Sequence, residues 1–240
     1  MKTLIVVPSR LGAQRFPAKV LAKLGGKPIV QWCWEAAQAA GETVIATESP
    51  KVAEVVASFG GKAVLTPESC QSGTDRVYEA AKNTDAELII NLQGDQPFIK
   101  PETVRSVIRL LEGERTVDIS TAVMLLDDEE RLKNPNVVKA VMNEQGRCLY
   151  FSRSPIPYRR FETTLRSYEH IGIYGFKRAA LEKFVKLPPS PLELTEGLEQ
   201  LRAMEAGMSI AAAIVAETPV AIDTPEDLVR AESLLSGRTK

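Results

Sequence analysis

Three cations crowd one short stretch near the start of the chain. In VVPSRLGAQRFPAK, residues 6–19, Arg10, Arg15 and Lys19 follow a run of aliphatic residues. The run reads as a buried strand, and the cations fall in the loop that leaves it. Grouped this closely they suit a polyphosphate, because guanidinium groups grip phosphate oxygens in a fork and lysine acts as a point charge. The spacing matches neither the G-x-G-x-x-G turn of dinucleotide sites nor the G-x-x-x-x-G-K-[ST] P-loop. A solvated surface loop is the alternative reading of the same charges.

Two carboxylates supply the counterpart. Asp95, in NLQGDQP, projects from the carboxyl end of the apolar run ELIINL, with Gly94 allowing a turn. Asp223, in AIDTPEDL, again follows apolar residues. It also fits a plain helix cap ahead of Pro225 in a first helical turn. Taken with Asp95 and the cationic loop, it can hold Mg²⁺ on a nucleoside triphosphate.

The elements that must position these residues alternate in kind. Strands are expected at 3–7, 43–47, 63–65 and 87–92, with helices at 28–40, 51–59, 72–82 and 101–111 between and after them. That order argues for an α/β fold with a mostly parallel sheet flanked by helices. After about Val117 the pattern changes. Strands at 119–125, 137–142, 148–151 and 170–176 follow without long helices, so antiparallel hairpins are expected. Their aromatics, including Tyr150, Phe151, Tyr158 and Phe161, look exposed and in need of a cover. A helix at 192–206, a strand at 209–215 and a helix at 225–235 close the chain. The expected organisation is one domain, with a core of 1–116 and 177–240 and an insertion at 117–176. In the 192–206 helix, Leu194, Leu198 and Leu201 form an apolar stripe, and Glu196 and Gln200 share another face.

Composition bounds the reading further. The chain has 240 residues, 44% hydrophobic and 25% charged, with a formal net charge of −1. A general nucleic-acid binder or a binder of acidic membranes is therefore not expected. No apolar run approaches a membrane span and no signal-peptide pattern opens the chain. Three scattered cysteines, Cys33, Cys70 and Cys148, fit a reduced, cytoplasmic setting.

In order along the whole chain, PSRLGAQRFPAK, QSGTDR, NLQGDQP, NPNVVKAV, YFSRSPIP, HIGIYGF, SPLELTEGLEQLR and DTPEDL resemble the 3-deoxy-manno-octulosonate (KDO) cytidylyltransferases, the CMP-KDO synthetases. The resemblance implies a Rossmann-like nucleotidyltransferase fold whose hairpin-rich insertion serves a homodimer. It also implies Mg²⁺ dependence and a role in lipopolysaccharide synthesis. CTP and the anionic sugar acid KDO are the implied substrates. Arg10, Arg15 and Lys19 match triphosphate-binding positions, and Asp95 and Asp223 the metal-binding aspartates; Lys19 counts with them as catalytic. Gln93, Gln71 and Ser72 belong to the nucleotide side. Arg76, Arg153, His170, Tyr174, Glu199 and Gln200 belong to the acceptor side. Arg153 suits the acceptor carboxylate, and Tyr174 faces the same way as His170 on a strand. Helical geometry favours Gln200 over Glu199. Departures at Ala18, Val20 and Gln96 keep other acceptors open, such as an amino-substituted KDO or a sialic acid. A non-catalytic nucleotide-binding regulator is the remaining alternative.

Overall fold

The computed structural model describes residues 1–12, 16–161, 164–216 and 220–238. The chain divides into two compact units, residues 1–105 with 219–240, and residues 106–218. Among the described residues all three cysteines are free, and no helix is long and apolar enough to cross a membrane.

The first unit is a parallel sheet with helical crossovers. β1 (Thr3–Pro8) leads through a 3-10 turn (Lys19–Leu21) and a small hairpin, β2 (Lys23–Leu24) and β3 (Lys27–Pro28), into α1 (Ile29–Gln38). β4 (Thr43–Thr47), α2 (Pro50–Ser58), β5 (Ala63–Leu65), α3 (Gly73–Ala81) and β6 (Leu88–Leu92) follow. β1 pairs in parallel with both β4 and β6, and β4 with β5. Ile5, Val6 and Val7 of β1, Ile45 of β4 and Leu88, Ile89 and Ile90 of β6 are fully buried. Each such side chain contributes about 1.5–3 kcal/mol, which is why these continuous apolar runs become strands covered on both faces. The helix starts follow local chemistry. Ser49 caps α2 with Pro50 at its first turn, and Ser72 forms a capping box with Asp75 at α3. The expected helix at 28–40 begins one residue late, because Pro28 serves as its cap. α4 (Pro101–Gly113) carries the chain past the boundary, and α9 (Pro225–Arg238) closes the first unit.

The second unit holds β7 (Ile119–Leu125), α5 (Glu129–Lys133), β8 (Lys139–Met142), β9 (Cys148–Ser152), β10 (Tyr168–Lys177), α6 (Arg178–Phe184), α7 (Pro191–Glu196), α8 (Gln200–Glu205) and β11 (Ile210–Val215). β11 runs parallel to β7. β7, β8 and β9 join through antiparallel pairs, with β10 between β7 and β8. The short helices α5 and α6 carried too little periodicity to be read from sequence.

Two expectations are corrected here. Phe151 is wholly buried rather than exposed, whereas Tyr158 and Phe161 are exposed. The helix expected at 192–206 is two helices. Gly197 sits in the left-handed region at φ 62°, and its N–H closes α7 on Glu193 O at 2.7 Å. Glu196 and Gln200 therefore lie on different helices, and Leu194 is exposed while Leu198 and Leu201 are buried. The two geometries predict opposite signs for Gly197→Ala. In one continuous helix alanine would stabilise by about 0.5–1 kcal/mol. At a left-handed cap it costs about 1–2 kcal/mol. Urea denaturation of the variant is expected to show the loss.

Candidate active site

In the first unit, Arg10, Lys19, Gln71, Ser72, Arg76, Gln93, Asp95 and Asp223 line one cavity of about 480 Å³ at the carboxyl ends of β1 and β6. Arg15 lies outside the described residues. Such an edge, where parallel strands end and loops begin, is the usual ligand position in open α/β sheets.

Gly94 lets the strand-end loops meet. A Cβ there would stand 2.7 Å from Pro8 O and 3.2 Å from Ser9 Oγ. The turn after β6 is thereby packed against the exit of β1, whose loop delivers Lys19. A backbone bond from Ile222 N to Asp95 O, 2.9 Å, fastens the distant 220–224 segment beside Asp95. Lys19 Nζ then lies 3.0 Å from Asp223 Oδ1 and 3.5 Å from Asp95 Oδ2.

The cap at α9 answers the alternative reading of Asp223. Thr224 Oγ1 accepts from Asp227 N at 3.3 Å, and Asp227 Oδ2 accepts from Thr224 N at 3.0 Å. This reciprocal pair is a capping box. Asp227 also takes the Asp223 N–H, at 3.1 Å. Thr224 therefore caps the helix, and the Asp223 carboxylate is turned to Lys19 instead.

Burial pushes the Asp95 carboxyl above its ordinary value of 3.8; Lys19 opposes that rise and the Asp223 charge adds to it. Among the described residues no third His, Cys, Asp or Glu joins the pair to make a closed metal cage. Two carboxylates without further protein ligands are the donor set that suits Mg²⁺ carried in with substrate phosphates.

Arg76 is buried, with Nη1 2.5 Å from Thr66 Oγ1 and 3.1 Å from Glu48 Oε2. Glu48 Oε1 in turn accepts from Leu11 N at 2.8 Å. Arg76 thus steadies the carboxylate that holds the first turn of the cationic loop. Sequence reasoning passed over Glu48; its place directly after β4, on the same sheet edge, was the available signal.

The second unit gathers the remaining candidates. His170 and Tyr174 lie on β10 with ring centroids 5.5 Å apart, and the edge of His170 meets Phe151 at 4.8 Å. Tyr174 donates to Gln200 Oε1 at 3.0 Å, while the buried Gln200 Nε2 finds no partner. Glu199 immediately precedes Gln200 at the start of α8. Burial lowers His170 to about 3 and raises Tyr174 above its ordinary 10, so both stay neutral near pH 7. Arg153 donates to three backbone carbonyls, Glu196 O at 2.7 Å, Pro135 O at 2.9 Å and Gly197 O at 3.4 Å. Beneath it the wholly buried Lys139 donates to Asn134 O, Val137 O and Arg153 O. That lysine, in NPNVVKAV, was also missed as a support of the Arg153 segment.

A half-buried carboxylate pair facing an ammonium, set on a parallel sheet edge beside further cations, is an arrangement with the chemistry to take a metal ion and a polyphosphate, as a nucleotidyltransferase requires. The comparisons narrow the class. The cytidylyltransferase family model matches residues 4–210. The 3-deoxy-manno-octulosonate cytidylyltransferase of Elusimicrobium minutum is 53% identical over 97% of this chain and 98% of its own. That of Chloroherpeton thalassium is 44% identical over the full length of both. A solved structure of CMP:2-keto-3-deoxy-manno-octonic acid synthetase complexed with CTP superposes with a TM-score of 0.95, at 38% identity, over 99% of this chain and 100% of its own. The chain belongs to the 3-deoxy-manno-octulosonate cytidylyltransferase family.

The raised Asp95 carboxyl sets a pH-dependent stability. A carboxyl raised on folding binds its proton more tightly in the folded state, so the wild type loses stability as pH climbs from 3.8 through the folded value. Asp95→Asn removes that loss. In metal-free protein its melting temperature relative to wild type is expected to rise as pH climbs from 3.8 through the folded value. Parallel melts that stay a constant distance apart would contradict it.

Proposed function

We propose that this chain transfers a cytidylyl group from CTP to the anomeric hydroxyl of KDO, giving CMP-KDO and pyrophosphate for lipopolysaccharide synthesis in the cytoplasm. The observation that carries the reading is the convergence of Lys19 on Asp95 and Asp223, within 3.5 Å of both, in a chain of this family. Asp95 and Asp223 would hold Mg²⁺, which supplies charge neutralisation at the phosphates when bound.

The chain's own residues do the rest by position and charge. Arg10 and Lys19, with Arg15 of the same loop, take the phosphate oxygens and stabilise the charge that grows on the leaving pyrophosphate. Gln71, Ser72 and Gln93 hold the nucleotide. Among the described residues the cavity offers no activated covalent nucleophile, which favours direct in-line attack by the acceptor hydroxyl. Burial raises the Cys70 thiol, so it stays protonated, and Ser72 Oγ accepts from Asp75 N as a helix cap.

The acceptor is read by Arg153, His170, Tyr174, Glu199 and Gln200, while Arg76, which the resemblance gave to the acceptor side, steadies Glu48 and through it the cationic loop. Arg153 has five N–H donors in its fork, and the three carbonyl bonds leave charge and donors for the sugar carboxylate. The neutral His170 and Tyr174 suit hydroxyls rather than a second anion. A second copy of the chain is proposed to cover the exposed Leu149, Tyr158 and Phe161, since two-fold pairing is the commonest assembly.

Pyrophosphate release with CTP, Mg²⁺ and a panel of sugar acids tests the whole reading. KDO is expected to give the highest kcat/KM. Asp223→Asn should lower kcat by about 10²-fold or more, on the scale of losing one charge-stabilising contact, with the α9 cap and the melting temperature intact. Lys19→Ala should lower kcat/KM for CTP and also lower the melting temperature of metal-free protein, because it leaves Asp95 and Asp223 without their shared cation. Full turnover in either variant would remove that residue from the chemistry.

A further inference from the structure

β10 departs from regular pairing at one place. His170 and Ile171 oppose Val123 and Ala122, but Tyr174 opposes Thr121, so Gly172 and Ile173 bulge out between them. The bulge turns two carbonyls toward Thr121. Thr121 Oγ1 lies 2.8 Å from Ile173 O and 3.3 Å from Ile171 O, and 2.8 Å from His170 Nε2. Thr121 itself is buried.

A hydroxyl has one proton, and a carbonyl oxygen can only accept. Were the Thr121 proton given to the imidazole, its oxygen would face two carbonyl oxygens lone pair to lone pair. The stable arrangement sends the proton to Ile173 O and leaves the Thr121 oxygen to accept. His170 Nε2 must then carry the ring proton, and Nδ1 becomes an acceptor.

We propose that Thr121 is a positioning residue for the acceptor site: seated in the β10 bulge, it fixes His170 as the Nε2–H tautomer and so presents Nδ1 to accept a hydrogen bond from a hydroxyl of the sugar acid. A protonated Nδ1 would meet the same hydroxyl as a donor and demand its lone pair instead. The tautomer therefore selects which direction a hydroxyl must point, complementing the unpartnered N–H donors of Gln200. A site that hydrogen-bonds a hydroxyl rejects an analogue that cannot complete the bond. The identity of the ligand rests on the proposed function, but the tautomer does not.

The chain has a single histidine, so a long-range ¹H–¹⁵N correlation spectrum of untagged, ligand-free protein reads one imidazole. Cross-peaks to the two ring carbons' protons tell the nitrogens apart. The expected spectrum has a protonated, pyrrole-type Nε2 and an unprotonated, pyridine-type Nδ1. The reverse assignment, or two averaged nitrogens, overturns the proposal without any variant. Thr121→Val should then shift the ring toward a mixture of tautomers. It should also raise KM for the sugar acid by about tenfold, the scale of one hydrogen bond, with KM for CTP unchanged. Thr121→Ser should restore both. A valine variant with the wild-type spectrum and KM also overturns it. Failure of wild type to use KDO would sink the functional reading alone, and the spectrum would still decide the tautomer.

Discussion

Asp95 and Asp223 carry the same charge and are held where both reach one ammonium, Lys19 Nζ, at 3.5 and 3.0 Å. Like charges brought together in a partly buried pocket repel more strongly than in water, because the surroundings screen them less. Burial contributes most to the rise of the Asp95 carboxyl, and the Asp223 charge adds the cost of this proximity. The rest of the first unit is arranged to sustain it. The Ile222–Asp95 backbone bond fixes the second carboxylate beside the first. Gly94 lets the turn pack against Pro8, and the Thr224–Asp227 box relieves Asp223 of capping. A cluster held this way favours a neighbouring positive charge, and Lys19 supplies one.

The cationic loop is ordered from the opposite side. Its first backbone amide, at Leu11, donates to Glu48, which is balanced by the buried Arg76. Breaking a buried ion pair leaves one charge without compensation, at about 3–5 kcal/mol. Arg76 therefore has a firm structural task whatever else it touches.

The second unit solves a different problem with different chemistry. Its candidate acceptor residues are neutral, as His170, Tyr174 and Gln200 are, or donate to backbone carbonyls, as Arg153 does. Lys139 and Arg153 donate to carbonyls from three segments of chain, tying the 134–137 loop to the turn at Gly197. Burial keeps His170 and Tyr174 neutral. Hydrogen bonds among neutral buried groups are directional, and an unmet one is costly. An environment of this kind suits hydroxyl groups, whereas the pairing of Lys19 with two carboxylates in the first unit suits charged ones.

Sequence alone settled what depends on near neighbours. β4 and β7 are where apolar continuity put them, and α3 begins at its capping box, because each signal lies within a few residues of the structure it specifies. Residue type and position after a strand singled out Lys19, Asp95 and Asp223, and the structure brings these three together. Tertiary structure decided the rest. The break at Gly197 overrode a plausible 15-residue periodicity, since a left-handed glycine cap and a box at Ser190 outweighed the stripe. Whether Asp223 caps α9 or faces Lys19 hinged on Thr224 and Asp227 taking the cap and on Ile222 pairing with residue 95. The contacts of Glu48, Lys139 and Thr121 could not be assigned from sequence because each depends on partners far away in sequence: Leu11 and Arg76, the Arg153 carbonyl, and a bulge in β10. Strand pairing brings those groups together, and a hydrogen-bond donor or acceptor cannot be assigned until its partner is in place.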